Sequence, residues 1–514
     1  MEGGSMPPRS DRKGRVCLAW PGKRLRCNTA ASSPLTPVER FGGDREPWRN
    51  QLILGDNMAA MAALLHTYAG QVRLIYIDPP FATGHSYAFR SRIGAADVVE
   101  ELAFEDDLPN GMSGYLQFMY ERLGIMHQLL SEDGSIFVHC DYRANSHLRL
   151  LLDELFGPES FRNEIITRRA QTKSLQKQFA SLRSLNVFHD TILWYSKSPD
   201  ARFPGPYKPA SAAQRRAAWQ SLWNNADRPT MRYPLLGCTI SRGQWKWREE
   251  RALRAAANYQ HYLEHHAATK TLTQYWEETG RTLEFVRRNG SGRPAYWIPP
   301  RDRVLADTNW LDIPAYSYST GYETEKSEAL LERVIQCASN PGDIVADPFC
   351  GSGTTAVVAE RTGRRWLACD SARRAVQVAR KRLLQLPFRS PFDVVALDAG
   401  PQRPSPSVEV TVDGHTVAVR ILGVPTQHLN RLPSSVAAKV LRHPVEAVEY
   451  WAVDWEYGGV PFRNCWRSFR HRRGGGLETV ARHTYAATGT YRIGVLATDI
   501  FGEEGFAELS VRVG

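Results

Sequence analysis

Cysteine is sparse in these 514 residues: the eight that occur are scattered, and no C-x-x-C spacing exists. That excludes a disulfide scaffold and the usual spacing of a structural zinc site. Free thiols suit a reducing compartment, so the chain is expected in the cytoplasm, with no metal. Long apolar runs are missing too: none approaches the roughly 18 residues that would cross a bilayer. Residues 1–13 are polar and basic with no apolar stretch behind them, which argues against a secretory leader. Acidic residues are outnumbered, 54 against 65 Lys and Arg, for a net charge of +11. The imbalance is local. Between Ile166 and Trp310 stand 24 Lys and Arg against 11 Asp and Glu, and the rest of the chain is close to neutral. A basic middle between neutral flanks suits a surface that meets a polyanion, although a solvated, solubilising face has the same composition.

What is present is globular: 42% hydrophobic residues with 10% aromatics, in a chain long enough for about three domains. Residues 1–49, rich in Pro, Gly, Ser and Arg, read as a loose arm. From residue 50 short apolar strands alternate with helices. A strand reaches Asn57, a helix covers 58–68, a strand covers 72–77, and helix, strand and long helix continue to about 155–165. The rhythm breaks over 166–311, which holds eight of the 14 tryptophans, and resumes over 312–395. Strands alternating with helices imply a mostly parallel sheet covered on both faces, here built from two separated stretches with an insert between them. Residues 396–407 form a proline-rich linker. Over 408–514, alternating Val408, Val410 and Val412, a turn at Asp413-Gly414, and Val417, Val419 and Ile421 predict a hairpin in an all-β domain.

Two motifs carry the chemistry. Asp347-Pro-Phe-Cys-Gly-Ser-Gly-Thr-Thr355 lies between a strand and a helix. Gly351 and Gly353 permit a tight turn and close approach of a ligand, and Asp370 ends the next strand, where an acid binds ribose hydroxyls in doubly wound folds. Thr354 stands where an ATP-binding P-loop needs lysine, whereas Ala356 is compatible with a nicotinamide site, and S-adenosylmethionine is the third choice. The second motif, Asp78-Pro79-Pro80-Phe81, ends an apolar strand at the ligand-binding edge of such a sheet. An aromatic amine is a poor nucleophile because its lone pair is delocalised into the ring. Asp78 and the Pro79 carbonyl can each accept an N–H from it and free that lone pair. The two prolines stiffen the turn, and Phe81 offers a face for a base swung out of a duplex.

Asp78–Phe81 resembles the Asp-Pro-Pro-Tyr/Phe signature of amino methyltransferases, and the glycine loop resembles their Asp-Pro-Phe-x-Gly-x-Gly motif. The catalytic motif comes first in the chain and the cofactor loop far downstream, with the basic insert between them. That order is similar to the β-class of DNA amino methyltransferases, which includes modification subunits of type III restriction systems. Leu54-Gly-Asp-Asn57, Ser131–His139 and Thr320-Gly-Tyr-Glu-Thr-Glu-Lys-Ser-Glu-Ala-Leu-Leu331 resemble further elements of that class. The resemblance implies a doubly wound, Rossmann-like α/β sheet of the S-adenosylmethionine-dependent methyltransferase type, circularly permuted, with an inserted target-recognition region and a C-terminal β-sandwich. It also implies roles. Asp56 and Asn57 would lie near the cofactor adenine and Phe349 would pack on it. Asp347, Gly351, Gly353 and Thr354 would shape the cofactor loop, Asp370 would bind ribose, and Lys326 would lie at the methionine end. Glu323, Glu325 and Ser327 depart from the family's Pro, Gln and Pro, which is expected to weaken cofactor affinity rather than abolish activity.

The implied reaction is site-specific methylation of N6 of adenine in double-stranded DNA. N4 of cytosine is the alternative, although that motif more often begins with Ser, and a DNA-binding protein that has lost catalysis is the second. Cytosine-C5 chemistry is excluded because no cysteine follows a proline. Arg168, Arg169, Arg242, Lys246, Arg248, Arg287 and Arg288 are the DNA-binding candidates, holding phosphates or reading guanine edges. Trp245 and Trp247 fit a core better than base stacking. His261, His265 and His266 fit a solvated helix face. Arg467, Arg470, Arg472 and Arg473 form a basic patch in the C-terminal region, whose closing strands resemble PKD-type immunoglobulin-like domains. A restriction subunit and a second copy of the chain are the implied protein partners.

Overall fold

The strand Val72–Ile77 buries five of its six side chains, because it runs between two parallel neighbours and under helices on both faces. It is central to an eleven-stranded sheet. The computed structural model describes residues 16–24, 34–43, 46–81, 86–93, 97–105, 109–169, 185–317, 320, 322, 324–387, 389–397, 404–426, 428–470 and 476–514. Of the readings above, much of the arm, residues 170–184 of the insert, Glu323, linker residues 398–403, Arg472 and Arg473 lie outside these.

The sheet contains β1 (Thr36–Phe41), β2 (Asn50–Leu54), β3 (Val72–Ile77), β4 (Leu130–Cys140), β5 (Phe161–Arg168), β6 (His189–Ser196), β7 (Asn309–Pro314), β8 (Ile344–Asp347), β9 (Arg365–Asp370) and β10 (Phe392–Ala396). Their order is β7-β5-β6-β4-β3-β8-β9-β2-β10-β1, and the two-residue strand Phe462–Arg463 follows at the edge. The run β4-β3-β8-β9-β2-β10 is parallel throughout, while β6 runs antiparallel to β4 and β5. Helices α1 (Asn57–Tyr68), α2 (Gly111–Leu129), α3 (Asn145–Phe156), α4 (Glu328–Ala338), α5 (Thr354–Arg361) and α6 (Arg373–Leu384) cover it. One apolar core contains α1, α2 and α3 residues, and a second contains α4, α5 and α6 residues. The register sets Val345 opposite Leu74 and Ala346 opposite Ile75, so the ends of β3 and β8, remote from each other in sequence, finish side by side.

Two boundaries drawn from sequence move. Part of the expected loose arm is structured: Thr36–Phe41 pairs antiparallel with β10, Phe41 stacks on Phe392 at 4.5 Å, and Trp20 is buried. Its partner is the last strand of the catalytic stretch, so no local pattern announced it. The stretch 166–311 begins and ends in the sheet, and it contains all of β6. The antiparallel turn into β6 is what interrupts the α/β rhythm. A separate compact unit covers only residues 207–306.

That unit has a three-stranded sheet, Ala218–Ser221, Pro294–Ile298 and Val286–Arg288, and a helix, Glu249–His265. Trp245 is buried with Leu222, Tyr233, Leu235 and Val286, and Trp247 packs on the Tyr296 ring at 5.0 Å.

After β10 in the chain, β11 (Ser407–Asp413), β12 (Thr416–Gly423), β13 (Val448–Asp454), β14 (Phe462–Arg463), β15 (Trp466–Phe469), β16 (Val480–Thr484), β17 (Gly489–Asp499) and β18 (Glu504–Val513) follow. Sheets β11-β12-β16 and β15-β13-β17-β18 share one core, with Val417, Val419 and Ala481 from the first against Trp451, Val453 and Val495 from the second. This β-sandwich is joined to the catalytic sheet. Strand β14 pairs parallel with β1. Arg380 of α6 is buried against Glu39, Thr498 (3.2 Å), Glu504 (3.4 Å) and the Tyr450 ring (4.2 Å).

Candidate active site

The parallel strands β3 and β8 both end at the same edge of the sheet, where ligands bind in open α/β folds. The four residues after β3 are Asp78, Pro79, Pro80 and Phe81, with Pro79 and Phe81 buried. Asp78 Oδ2 is 2.6 Å from Lys326 Nζ, and both side chains are largely buried, at 17% and 6% exposure. Its Oδ1 is buried and has no hydrogen-bond partner among the described residues. A buried acceptor left open beside a satisfied one is unusual, since such groups are nearly always paired. The His139 ring stacks beside Phe81 at 6.1 Å.

The glycine loop closes on itself and on β9. Asp347 is buried and accepts the Phe349 N–H at 3.0 Å and the Thr355 hydroxyl. Burial pushes its carboxyl up to about 7, against those two bonds and with help from nearby Asp78 and Asp370. Gly351 and Gly353 take φ of +48° and +76°. A Cβ on Gly353 would fall 2.5 Å from the Ala379 Cβ, so that glycine serves the packing of α6. A Cβ on Gly351 would meet the Tyr322 ring at 3.6 Å, so Tyr322 lies directly against the loop. The Gly351 N–H donates to Asp370 Oδ2 and the Ala372 N–H to Asp370 Oδ1, both at 2.9 Å. Burial raises the Asp370 carboxyl, and backbone N–H donors oppose that rise. Each Asp370 oxygen thus accepts one backbone N–H.

On the other side of the loop, Asp56 caps α1 by accepting the Ala59 N–H at 3.1 Å. Asn57 donates to the Pro348 carbonyl at 3.0 Å, tying α1 to the loop. Arg122 of α2 holds both, with Nε 2.6 Å from Asn57 Oδ1 and Nη2 3.1 Å from Asp56 Oδ2. Its guanidinium lies over the Phe118 ring at 3.5 Å, and Phe118 faces Phe349 at 6.1 Å. Thr354 is buried and accepts from Arg382 at 2.8 Å, while the same guanidinium reaches the Ser352 carbonyl at 3.0 Å. Glu325, where the family has Gln, is buried, and its Oε2 accepts the Thr320 N–H at 2.8 Å and the Thr320 hydroxyl at 2.7 Å. This departure fastens a loop.

Asp78, Phe81, Lys326 and the residues from Asp347 to Thr354 thus come together at one sheet edge with Asp56, Asn57 and Asp370. The DNA-binding candidates divide. Arg168 ends β5, and Arg169 lies 3.7 Å from Asp190 and 4.0 Å from Asp141. The other five are on the 207–306 unit. Arg242 and Arg248 are exposed there. Lys246 lies over Tyr296 at 5.3 Å and Arg287 over Trp219 at 4.2 Å, and Arg288 Nε donates to the Leu236 carbonyl at 2.7 Å.

Arg122, Tyr316, Tyr322 and Asp190 join the site only through the fold. Arg122 had only a weak signal, a basic residue beside Glu121 in the otherwise uncharged stretch Met119 to Met126. Tyr316 had none, because its importance comes from neighbours distant in sequence.

Residues 72–381 match the N6/N4 DNA methylase family. The type II methyltransferase M.EcaI of Enterobacter cloacae is 30% identical over 388 residues, which is 72% of this chain and 77% of that protein. The Mod subunit of the type III restriction-modification enzyme StyLTI of Salmonella typhimurium is 25% identical over 342 residues. That match takes in 60% of this chain but 49% of the Mod subunit, so the chain spans about half the length of that relative. The M1.HpyAVI–SAM complex is 17% identical with a TM-score of 0.34, over 65% of this chain and 99% of the other. Among the described residues no helix is long and apolar enough to cross a membrane.

Proposed function

The chain belongs to the N6/N4 DNA methylase family, and on the geometry of its site we propose that it methylates N6 of adenine at a specific sequence in double-stranded DNA, using S-adenosylmethionine. One observation carries this reading: the buried Oδ1 of Asp78, without a hydrogen-bond partner among the described residues, at the switch point of the sheet and next to a glycine loop tied to Asp370. An exocyclic amine offers the N–H that this oxygen lacks. By accepting it, Asp78 draws the nitrogen lone pair out of conjugation, and an oriented acceptor in a water-poor site is effective because it needs no reorganisation. Phe81 supplies the apolar wall against which a flipped base stacks.

The residues fit the cofactor. Asp370 would hold ribose hydroxyls, Asp56, Arg122 and Phe349 would frame the adenine side, and Gly351 with Tyr322 would line the approach to the methionine part. Bound S-adenosylmethionine supplies the sulfonium methyl group. Adenine is preferred over cytosine because an acid, not a serine, opens the motif at residue 78. The basic 207–306 unit is the target-recognition module in this reading, with Arg242 and Arg248 as its exposed cations. A restriction subunit is the natural partner if the chain works as the type III Mod relatives are named, and pairing with a second copy is the other association to test.

The test is methylation of DNA by the purified protein with labelled S-adenosylmethionine, followed by nucleoside analysis. N6-methyladenine is expected. N4-methylcytosine alone overturns the choice of base, and cofactor binding without any transfer to DNA identifies a chain that has lost catalysis.

A further inference from the structure

Behind Asp78 lies a buried network that the proposed reaction has not yet used. Lys326 Nζ, 2.6 Å from Asp78 Oδ2, also sits over the Tyr316 ring at 4.1 Å and near that of Phe81 at 5.6 Å. Tyr316 and Lys326 are bridged through their backbones, with Ser317 N donating to Glu325 O and Ser327 N to Ala315 O, both at 2.8 Å. The Tyr316 hydroxyl donates to Asp190 Oδ2 at 2.9 Å. Asp190, in β6, is fully buried, with Arg169 3.7 Å from Oδ1 and His139 Nε2 3.7 Å from Oδ2. The Tyr76 hydroxyl lies 3.0 Å from His139 Nδ1 and fixes the other side of that ring.

We propose that Lys326, Tyr316 and Asp190 are positioning residues that lock Asp78 through Oδ2 so that Oδ1 alone meets the target amine. This rests on the function proposed above and deepens it, and it turns Lys326 from the methionine end of the cofactor towards the catalytic carboxylate. A lysine ammonium at 6% exposure is strongly destabilised unless anions surround it. Asp78 alone would be a poor anchor, since its hydrogen bonding changes each time a base enters. Asp190 provides a second, permanent negative charge. Burial tends to protonate it, but the contact with His139 and the charges of Lys326 and Arg169 hold it down at about 2. Tyr316 spans the gap, using its ring face for Lys326 and its hydroxyl for Asp190. An ammonium held in this way restrains the Asp78 carboxylate in one orientation.

A network that merely supports the fold would also be buried and paired, so the test separates kcat from binding and from stability. At saturating DNA and S-adenosylmethionine, Tyr316→Phe, which removes one hydroxyl, is expected to lower kcat roughly tenfold, and Lys326→Met roughly a hundredfold. Lys326→Arg should recover part of the loss. The Kd for S-adenosylmethionine, the KM for DNA and the thermal midpoint of Tyr316→Phe should stay close to wild type. Wild-type kcat in Tyr316→Phe overturns the proposal, whether or not Lys326→Met folds. So does a Lys326→Met enzyme that binds S-adenosylmethionine weakly yet turns over normally when saturated, for that returns Lys326 to the cofactor. A kcat loss in Tyr316→Phe accompanied by equal losses of stability and cofactor binding marks a fold support and likewise overturns it. Asp78→Ala is the control: full activity there would sink the proposed function itself, whereas an inactive Asp78→Ala beside a normal Tyr316→Phe would sink only the positioning role.

Discussion

The backbone N–H of Gly351 donates to the carboxylate of Asp370 at 2.9 Å, so the turn after one strand is fastened to the end of its neighbour. The second Asp370 oxygen takes the Ala372 N–H, and the carboxylate therefore shapes the loop before any ligand arrives.

Asp370→Asn keeps the size but can accept through one oxygen only, leaving a backbone N–H facing an amide NH2. Calorimetry should show S-adenosylmethionine binding weakened by about ten- to a hundredfold, the scale of losing a hydrogen bond to a charged group. Unchanged affinity would remove Asp370 from the cofactor site.

Gly353→Ala is expected to destabilise the protein by roughly 3 kcal/mol. It places a side chain at φ +76°, where L-residues are strained, and drives its Cβ to 2.5 Å from the Ala379 Cβ. Gly351→Ala has the same conformational cost but meets Tyr322 at ordinary contact distance, so its thermal midpoint should fall less. Equal losses would show that the close approach to Ala379 does not matter.

Asp347 gives a pH dependence with a definite sign. Its folded carboxyl titrates at about 7 against an ordinary 3.8. The folded state therefore holds the proton more tightly than the unfolded chain. The stability this confers is complete below pH about 4 and is lost as pH climbs to about 7. Asp347→Asn cannot ionise, so its thermal midpoint relative to wild type should rise between pH 5 and pH 8. A difference that stays flat across that range would contradict the assignment.

Asp78→Ala should reduce methyl transfer at least a thousandfold while S-adenosylmethionine binding stays within a fewfold of wild type. Transfer assayed beside equilibrium dialysis measures both. Loss of binding in parallel would mean that Asp78 holds the cofactor.

Arg380→Met takes a buried cation away from Glu39 and should cost about 3–5 kcal/mol in unfolding free energy. Because Arg380 also contacts Thr498 and Glu504, proteolysis should cut the variant first between the catalytic sheet and the β-sandwich. A wild-type digestion pattern would show that the sandwich is held by other contacts.

The α/β rhythm and the two chemical motifs were legible because both are local. Val72–Ile77 announces a buried strand by composition, and Asp78–Phe81 and Asp347–Thr355 follow their strands directly. Strand β1 carries no local signal because its partner is β10, and β6 hides within the insert because an antiparallel strand breaks the expected alternation. The same distance hid Tyr316 and Asp190: neither sits in a motif, and their relation to Asp78 exists only once β3, β6 and the segment before α4 are together. Glu325 was legible as a departure from a pattern, but its bonds to Thr320 could be found only in the folded loop.

The placement of β3 next to β8 has a consequence for biosynthesis. A growing chain completes Asp78 long before the strand destined to lie beside it is made, with the whole basic insert still to be synthesised in between. Until then β3 can pair on its β4 side alone, and the groove that takes the methyl donor does not exist. The capacity to modify DNA therefore arises late, with the last strands of the sheet, and a product broken off before Asp370 carries the acid without the cradle.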